Sequence, residues 1–359
     1  MSASEVSFET ARPVRLWLLA GVVMIFFQVV LGGITRLTGS GLSITRWEIV
    51  TGTLPPLSEQ AWHRAFELYK QTPQYQKINA GMTMEAFKRI YFWEYVHRLW
   101  ARTMGFVFLL PLVFFWRRRM LSPSLKRRLW VVFLLAALAA SFGWIMVASG
   151  LVDRPWVNAY KLMIHLGIAI FLLEYLLVTY LRATGKREKI AFPLGKAGSL
   201  VGPLLVLISW QVLLGGLMSG MKAGYAFPTF PRMNGVWIPE VLLDPKAWTW
   251  ENMRHYDSGH LFAPALVQLL HRTLAYLIGL VAVVVLVRSV GKATGLYRRL
   301  GILFFGLVCC QILLGIFTLL SFRTGAVSVL LGSLHQLVGI LTLSVWVAVW
   351  YFSRGKRYT

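Results

Sequence analysis

Apolar residues gather in eight long stretches, near 14–34, 96–116, 129–149, 160–181, 199–219, 264–287, 299–320 and 330–352. Each is long enough to cross about 30 Å of hydrocarbon. Backbone polar groups inside lipid need internal partners, so each stretch predicts a helix. The expected architecture is an all-α integral membrane protein, an eight-helix bundle with little soluble domain. Two polar intervals are long, at about 35–95 and 220–263. In the first, Trp62, Phe66 and Tyr69 follow helical spacing, which predicts a short amphipathic helix on the membrane surface.

Composition agrees: 57% of the 359 residues are hydrophobic and only 14% are charged. A net charge of +23 would suit a nucleic-acid binder, but its placement argues otherwise. Basic residues crowd alternate connections. Arg117, Arg118, Arg119, Lys126, Arg127 and Arg128 follow the second span; Arg182, Lys186, Arg187, Lys189 and Lys196 follow the fourth. Arg288, Lys292, Arg298 and Arg299 follow the sixth, Arg354, Lys356 and Arg357 close the tail, and Arg12 and Arg15 precede the first. The positive-inside rule then puts both termini and these connections in the cytoplasm. The charge is a topology signal, and nucleic acid is not an expected partner. Cys309 and Cys310 are adjacent inside the seventh span and form no loop disulfide framework; small packing residues is their expected role. The first dozen residues carry Glu5 and Glu9 and no apolar core, so neither a signal nor a transit peptide is expected, and a bacterial cytoplasmic membrane is.

The chain also repeats itself. Span 1 holds Gln28-Val-Val-Leu-Gly-Gly33, span 5 holds Gln211-Val-Leu-Leu-Gly-Gly216, and span 7 holds Gln311-Ile-Leu-Leu-Gly-Ile316. Span 3 offers a weaker match, Ser141-Phe-Gly-Trp-Ile-Met-Val-Ala-Ser-Gly150, and Ser141 precedes His165 by the same interval that separates Gln311 from His335. Two four-helix halves are expected, 1–190 and 191–359, related by a pseudo-two-fold axis along the membrane normal. The paired glycines would let helix backbones approach closely.

Four histidines mark the even-numbered spans: His97, His165, His271 and His335. Ionisable side chains are costly in a bilayer and are kept there for a ligand, a proton path or a charge pair. Pairing within each half, His97 with His165 and His271 with His335, suggests two bis-imidazole haem sites about two turns from the outer, periplasmic face. Zinc is less attractive, because no further Cys or His completes a tetrahedral set. His63, His255 and His260 fall in the outer loops, where solvated or interfacial positions are expected.

The halves differ at one place. Glu94 stands three residues before His97, on the same helix face, and the matching residue before His271 is Gln268. A carboxylate beside one histidine pair alone suits a catalyst, with a cofactor in one half and a reacting molecule in the other; a salt bridge to Arg98 or Arg102 is the structural alternative. Arg98 and Arg272 follow their histidines and would pair with haem propionates or snorkel to the interface. Glu174 has no matching acid in span 8, where Ser344 stands, and is given no catalytic role. The residues alone fit a dihaem enzyme, a dihaem electron-transfer cytochrome or a haem transporter.

Several motifs narrow this. Arg36-Leu-Thr-Gly-Ser-Gly-Leu-Ser-Ile44, Thr51-Gly-Thr-Leu-Pro-Pro-Leu-Ser58, Tyr91-Phe-Trp-Glu-Tyr-Val-His-Arg98, Ser149-Gly-Leu-Val-Asp-Arg-Pro155 and Tyr160-Lys-Leu-Met-Ile-His-Leu-Gly167 resemble the haem A synthase family. So do Ala223-Gly-Tyr-Ala-Phe-Pro-Thr-Phe-Pro231, His271-Arg-Thr-Leu-Ala-Tyr276 and His335-Gln336. The likeness covers nearly the whole chain and is similar to the proteobacterial and mitochondrial branch, which lacks a loop cysteine pair. It implies oxidation of the C8 methyl of haem O to a formyl group by successive hydroxylations, giving haem A for terminal oxidases. It implies that His271 and His335, with Arg272 beside them, hold a resident haem b that relays electrons. It further implies that His97 and His165, with Arg98, bind the substrate haem, and that Glu94 acts beside its reacting methyl. The family pattern has Asn where Leu270 stands here. A haem O synthase, an electron-transfer protein and further copies of this chain are the candidate protein partners, within membrane lipid.

Overall fold

A computed structural model of the chain describes residues 10–46, 51–152, 154–185, 200–257, 259–292 and 295–353. Among them, eight helices are long and apolar enough to span a membrane. They are α1 (Arg12–Leu37), α4 (Met84–Arg117), α5 (Pro123–Gly150), α6 (Ala159–Ala183), α7 (Val201–Gly220), α10 (Phe262–Lys292), α11 (Gly295–Ser321) and α12 (Val329–Ser353). The two long connections add α2 (Glu59–Lys70), α3 (Pro73–Lys77), α8 (Ala223–Ala226) and α9 (Trp250–Arg254). The chain is therefore a multi-pass membrane protein. Of the basic residues behind the topology expectation, Lys186, Arg187, Lys189, Lys196, Arg354, Lys356 and Arg357 lie outside the described residues.

Helix ends follow local chemistry. Asn158 caps α6 by accepting from the amides of Tyr160 and Lys161 at 3.0 and 3.2 Å. Ser122 and Thr83 do the same for α5 and α4. Because Thr83 starts α4 so early, that helix begins about three turns before its apolar stretch.

That extension gives α2 its packing partner. The helix forms over the predicted aromatics, with Ser58 as its cap. Its aromatics pack on α4: Phe66 and Tyr69 stack on Phe87 at 4.9 and 5.2 Å, and Trp62 packs edge-on to Tyr91 at 5.0 Å. Projecting turns of α4 offer α2 aromatic partners of matching geometry.

Helices α1, α6, α7 and α12 form the centre: α1 packs on α6 and α12, and α7 packs on the same two. Close approach there depends on glycine. A β-carbon on Gly33 would fall 1.6 Å from Gln336 Oε1, and one on Gly216 would fall 2.9 Å from Leu166 Cδ2. Each glycine faces the residue that follows a histidine in the opposite half of the chain. Tyr256, in the connection before α10, ties the same two portions together, its hydroxyl accepting from Ala159 N and Arg154 Nη1, both at 2.9 Å. Burial pushes the Tyr256 phenol above its ordinary pKa.

Candidate haem sites

Each histidine lies against a glycine of the span before it. His97 meets Gly32, His165 meets Gly143, His271 meets Gly215 and His335 meets Gly315; added β-carbons would lie 3.2, 3.0, 3.6 and 2.8 Å from the respective rings. The rings of His271 and His335 are 6.4 Å apart between centroids, at 73°. His97 and His165 lie within electrostatic reach of one another. The structure thus brings the four histidines into the two pairs that the sequence suggests.

The glutamines of the repeat orient the rings. Gln28 Nε2 donates to His97 Nε2 at 3.0 Å and to the His97 carbonyl at 3.2 Å. Gln211 Nε2 donates to His271 Nε2 at 3.3 Å and to the His271 carbonyl at 3.0 Å. In the other two, the backbone does the work. His165 Nδ1 donates to the Ala139 carbonyl at 3.0 Å, and His335 Nδ1 to the Gln311 carbonyl at 3.1 Å. An amide NH₂ can only donate and a carbonyl can only accept, so in all four rings the proton is on Nδ1 and Nε2 carries the lone pair. That tautomer is the one that ligates a metal. In His97 and His271 the same lone pair takes the glutamine N–H, so a bound iron would replace that hydrogen bond. In His165 and His335 an Nδ1–H held by a carbonyl is the usual outer support of such a ligand.

These contacts revise the register in α5. Ala139 and Gly143 stand to His165 as Gln311 and Gly315 stand to His335. Ser141, which the matching interval had suggested, is exposed and bonds only the Ala137 carbonyl of its own helix. The matched feature is a carbonyl one turn before a glycine, and a carbonyl leaves no mark on residue identity.

Glu94 is 2% exposed and engaged through both oxygens. Oε2 accepts from Ser43 N and Ser43 Oγ, each at 2.7 Å, and from Ile44 N at 3.0 Å; Oε1 accepts from Arg98 Nη2 at 2.5 Å. Gln268, fully buried, does the converse, its Nε2 donating to the Phe227 carbonyl at 2.9 Å. Each residue clamps part of the long connection that leads to its own helix. The acid stands where the loop presents N–H groups, and the amide donates where the loop presents a carbonyl. The Glu94/Gln268 difference therefore has a structural cause of its own.

The two arginines complete those clamps instead of snorkelling. Arg98 Nη2 donates to the Ile44 carbonyl at 3.1 Å and Nη1 to that of Arg46 at 3.3 Å. Arg272 Nη2 donates to Phe227 and Thr229 at 3.2 and 2.7 Å, and Nη1 to Pro231 at 3.1 Å. Loop carbonyls within reach satisfy a guanidinium better than extension to the lipid interface.

His63, His255 and His260 are exposed, as expected, the last two with rings 5.5 Å apart. Leu270 is 47% exposed, so its departure from the family pattern falls on the outer surface. Cys309 and Cys310 are free thiols, and Cys310 is exposed on its helix. Among the described residues no three His, Cys, Asp or Glu side chains cluster to hold a bare metal ion. A haem asks the protein only for axial ligands in an apolar setting. Metal–imidazole bonds of about 2 Å on either side of an iron are compatible with the His271–His335 ring spacing. The buried His271 Nδ1 makes no close hydrogen bond, its nearest backbone partner being Gln211, whose side chain also meets the ring at Nε2.

Comparison with known proteins agrees with this chemistry. A family model described as a cytochrome oxidase assembly protein (COX15-CtaA) matches residues 15–347. A heme A synthase of Bradyrhizobium diazoefficiens is 41% identical over 341 residues, covering 94% of this chain and 91% of the relative. One from Rhodopseudomonas palustris strain BisB5 is 40% identical over 348 residues, covering 96% and 92%. One from Caulobacter sp. strain K31 is 40% identical over 335 residues, covering 91% and 92%.

Proposed function

The chain belongs to the haem A synthase family, and from that premise we propose that its two histidine pairs divide the conversion of haem O to haem A between them. His271 and His335 hold a resident haem b, and His97 and His165 bind the iron of the substrate haem. The observation that carries this division is the pairing itself: two histidine pairs with the same ring tautomer, one of them closed in on all sides by helices α7, α10, α11 and α12. The C8 methyl is oxidised to a formyl group by two hydroxylations and loss of water, a four-electron oxidation for which either an external electron acceptor, with water as the oxygen source, or dioxygen serves as oxidant. When bound, haem b supplies one-electron transfer to and from the reacting site.

The residues around the substrate pair do the rest. His97 and His165 fix the porphyrin by its iron, which orients the periphery for reaction at one methyl. Glu94 places a fixed negative charge three residues from His97. Hydrogen bonds to both of its oxygens suit electrostatic stabilisation of positive character at the reacting carbon better than a swinging proton carrier. Arg98 and Arg272 hold the covering loops, and those loops keep water from the sites.

We further propose that residues 1–190 and 191–359 are two halves related by a pseudo-two-fold axis along the membrane normal. The Gln28–His97 and Gln211–His271 contacts, and the Gly33–Gln336 and Gly216–Leu166 contacts, support it. The alternating basic connections support cytoplasmic termini and haem sites towards the periplasm.

The test is the haem content of membranes that carry this chain together with a source of haem O, extracted and analysed by mass. Haem A or its hydroxymethyl precursor is the expected product. Haem b with haem O unchanged would instead identify a two-haem electron carrier, whose histidine pairs would look the same.

A further inference from the structure

The two sets of four helices are built alike on three sides and differ on the fourth. In one, α7 packs on α10, α11 on α12 and α7 on α12; in the other, α1 packs on α4, α5 on α6 and α1 on α6. The first ring is closed by α10 running along α11. Its counterpart is broken: α4 and α5 are barely in touch, although only residues 118–122 join them.

Single residues show the same break. Gly279 stands eight residues after His271, and a β-carbon there would lie 3.2 Å from Ile312 Cδ1 of α11. Gly105 stands eight residues after His97, and a β-carbon there would meet nothing within 4 Å. Ile312 precedes Gly315, the residue against His335, by three positions. The residue three before Gly143, which lies against His165, is Ala140. A branched side chain thus plugs the seam of one ring, and an exposed methyl leaves the other open. The opening extends along α4 from the level of His97 by about 12 Å, at 1.5 Å per residue, to Gly105. It faces the hydrocarbon, since Leu110, Phe106 and Leu134 on these helices are 67%, 65% and 61% exposed.

We propose that the seam between α4 and α5 is the lateral doorway through which haem O enters the first site from the bilayer, and that its long isoprenoid chain lies in this seam during turnover. The inference rests on the assignment of His97 and His165 to the substrate. An apolar chain too long to enclose in a four-helix ring needs a gap in that ring at the level of the iron ligands, and needs lipid beyond the gap. The matched ring has no use for one, because a resident haem without such a chain stays in place.

The experiment follows haem O uptake directly. Protein carrying its resident haem b is reconstituted in vesicles, mixed with haem O-loaded vesicles, re-isolated at intervals and analysed for bound haem O per haem b. Ala140→Ile, which copies the Ile312 plug, is expected to slow uptake at least tenfold with haem b content unchanged. Ile312→Ala is expected to speed loss of haem b to empty vesicles several-fold. The lipid-facing control Val206→Ile should match the parent in both. Should Ala140→Ile lose haem b through misfolding, Gly105→Cys/Ala140→Cys in a Cys309→Ser/Cys310→Ser background, cross-linked after folding by a short thiol reagent, closes the seam instead. It should stop uptake and trap haem O already loaded. Parent-like uptake by Ala140→Ile or by the cross-linked protein overturns the doorway while leaving the substrate assignment intact. A parent that takes up no haem O overturns the assignment, and the doorway with it.

Discussion

Glu174 and Ser344 each stand nine residues after a histidine, His165 and His335, and their side chains meet across the α6–α12 contact, Ser344 Oγ donating to Glu174 Oε1 at 2.6 Å. The other carboxyl oxygen, Oε2, is buried without a partner. Two residues at one level of the repeat thus form a polar tie in the apolar centre of the bundle. Removing one partner should cost more than removing both, because a lone buried polar group keeps its desolvation penalty. Ser344→Ala should lower stability by about 1–3 kcal/mol, and Glu174→Leu/Ser344→Ala should recover much of that loss. Thermal unfolding in detergent, followed by haem b absorbance, reads both. Equal melting of all three proteins would show that the tie contributes nothing.

The Glu94 clamp separates charge from position. Glu94→Gln keeps the size of the side chain and removes its charge beside His97; Ser43→Ala loosens the same loop and leaves the charge. If the charge stabilises the reaction, Glu94→Gln should lower haem A formation about 100-fold. Ser43→Ala should lower it far less, and haem b content should stay unchanged in both. Equal loss in the two variants would assign Glu94 to loop positioning alone. Hydrogen exchange over residues 40–46 would then rise equally in each.

Much of this arrangement is legible in the chain, for physical reasons. Lipid forces apolar stretches into helices, so the eight spans could be read to within a few residues at most ends. Histidines are costly in a bilayer, so His97, His165, His271 and His335 stand out. The Gln28, Gln211 and Gln311 repeat was visible too, although its task of orienting His97 and His271 needed geometry. What stayed hidden depends on partners distant in sequence or without side chains. Ser43 and Ile44 reach Glu94 across about 50 residues, and no spacing announces it. The Ala139 carbonyl that holds His165 has no residue signature, which is why Ser141 looked like the match. The broken ring shows only in how α4 and α5 pack, although Ala140 against Ile312 is a trace of it in sequence.

The proposed division of labour predicts which histidines control which haem. His335→Ala or His271→Ala should abolish haem b retention and, with it, haem A formation. His97→Ala and His165→Ala should retain haem b and lose haem O binding. Pyridine haemochrome analysis of purified protein, with and without added haem O, distinguishes the sites. Loss of haem b in His97→Ala with His335→Ala unaffected would exchange the two assignments.

The glycines offer a finer test, because their distances to the rings differ. Gly315 leaves His335 no slack: an added methyl would fall 2.8 Å from Cε1. The ring is also tied through Nδ1 to the Gln311 carbonyl of the same helix that carries Gly315. It can yield only by breaking that bond or by moving α11 off α12, and overpacking of this kind costs about 1–3 kcal/mol. Gly215 differs, since a methyl there would lie 3.6 Å from the His271 ring, in ordinary contact. Gly315→Ala should therefore purify with less than half the haem b of the parent and a shifted Soret band. Gly215→Ala should keep both near the parent's values. The haem-to-protein ratio and the absorption spectrum of the purified variants measure this. Full haem b and an unchanged spectrum in Gly315→Ala would mean that His335 does not need its present ring position to hold the iron.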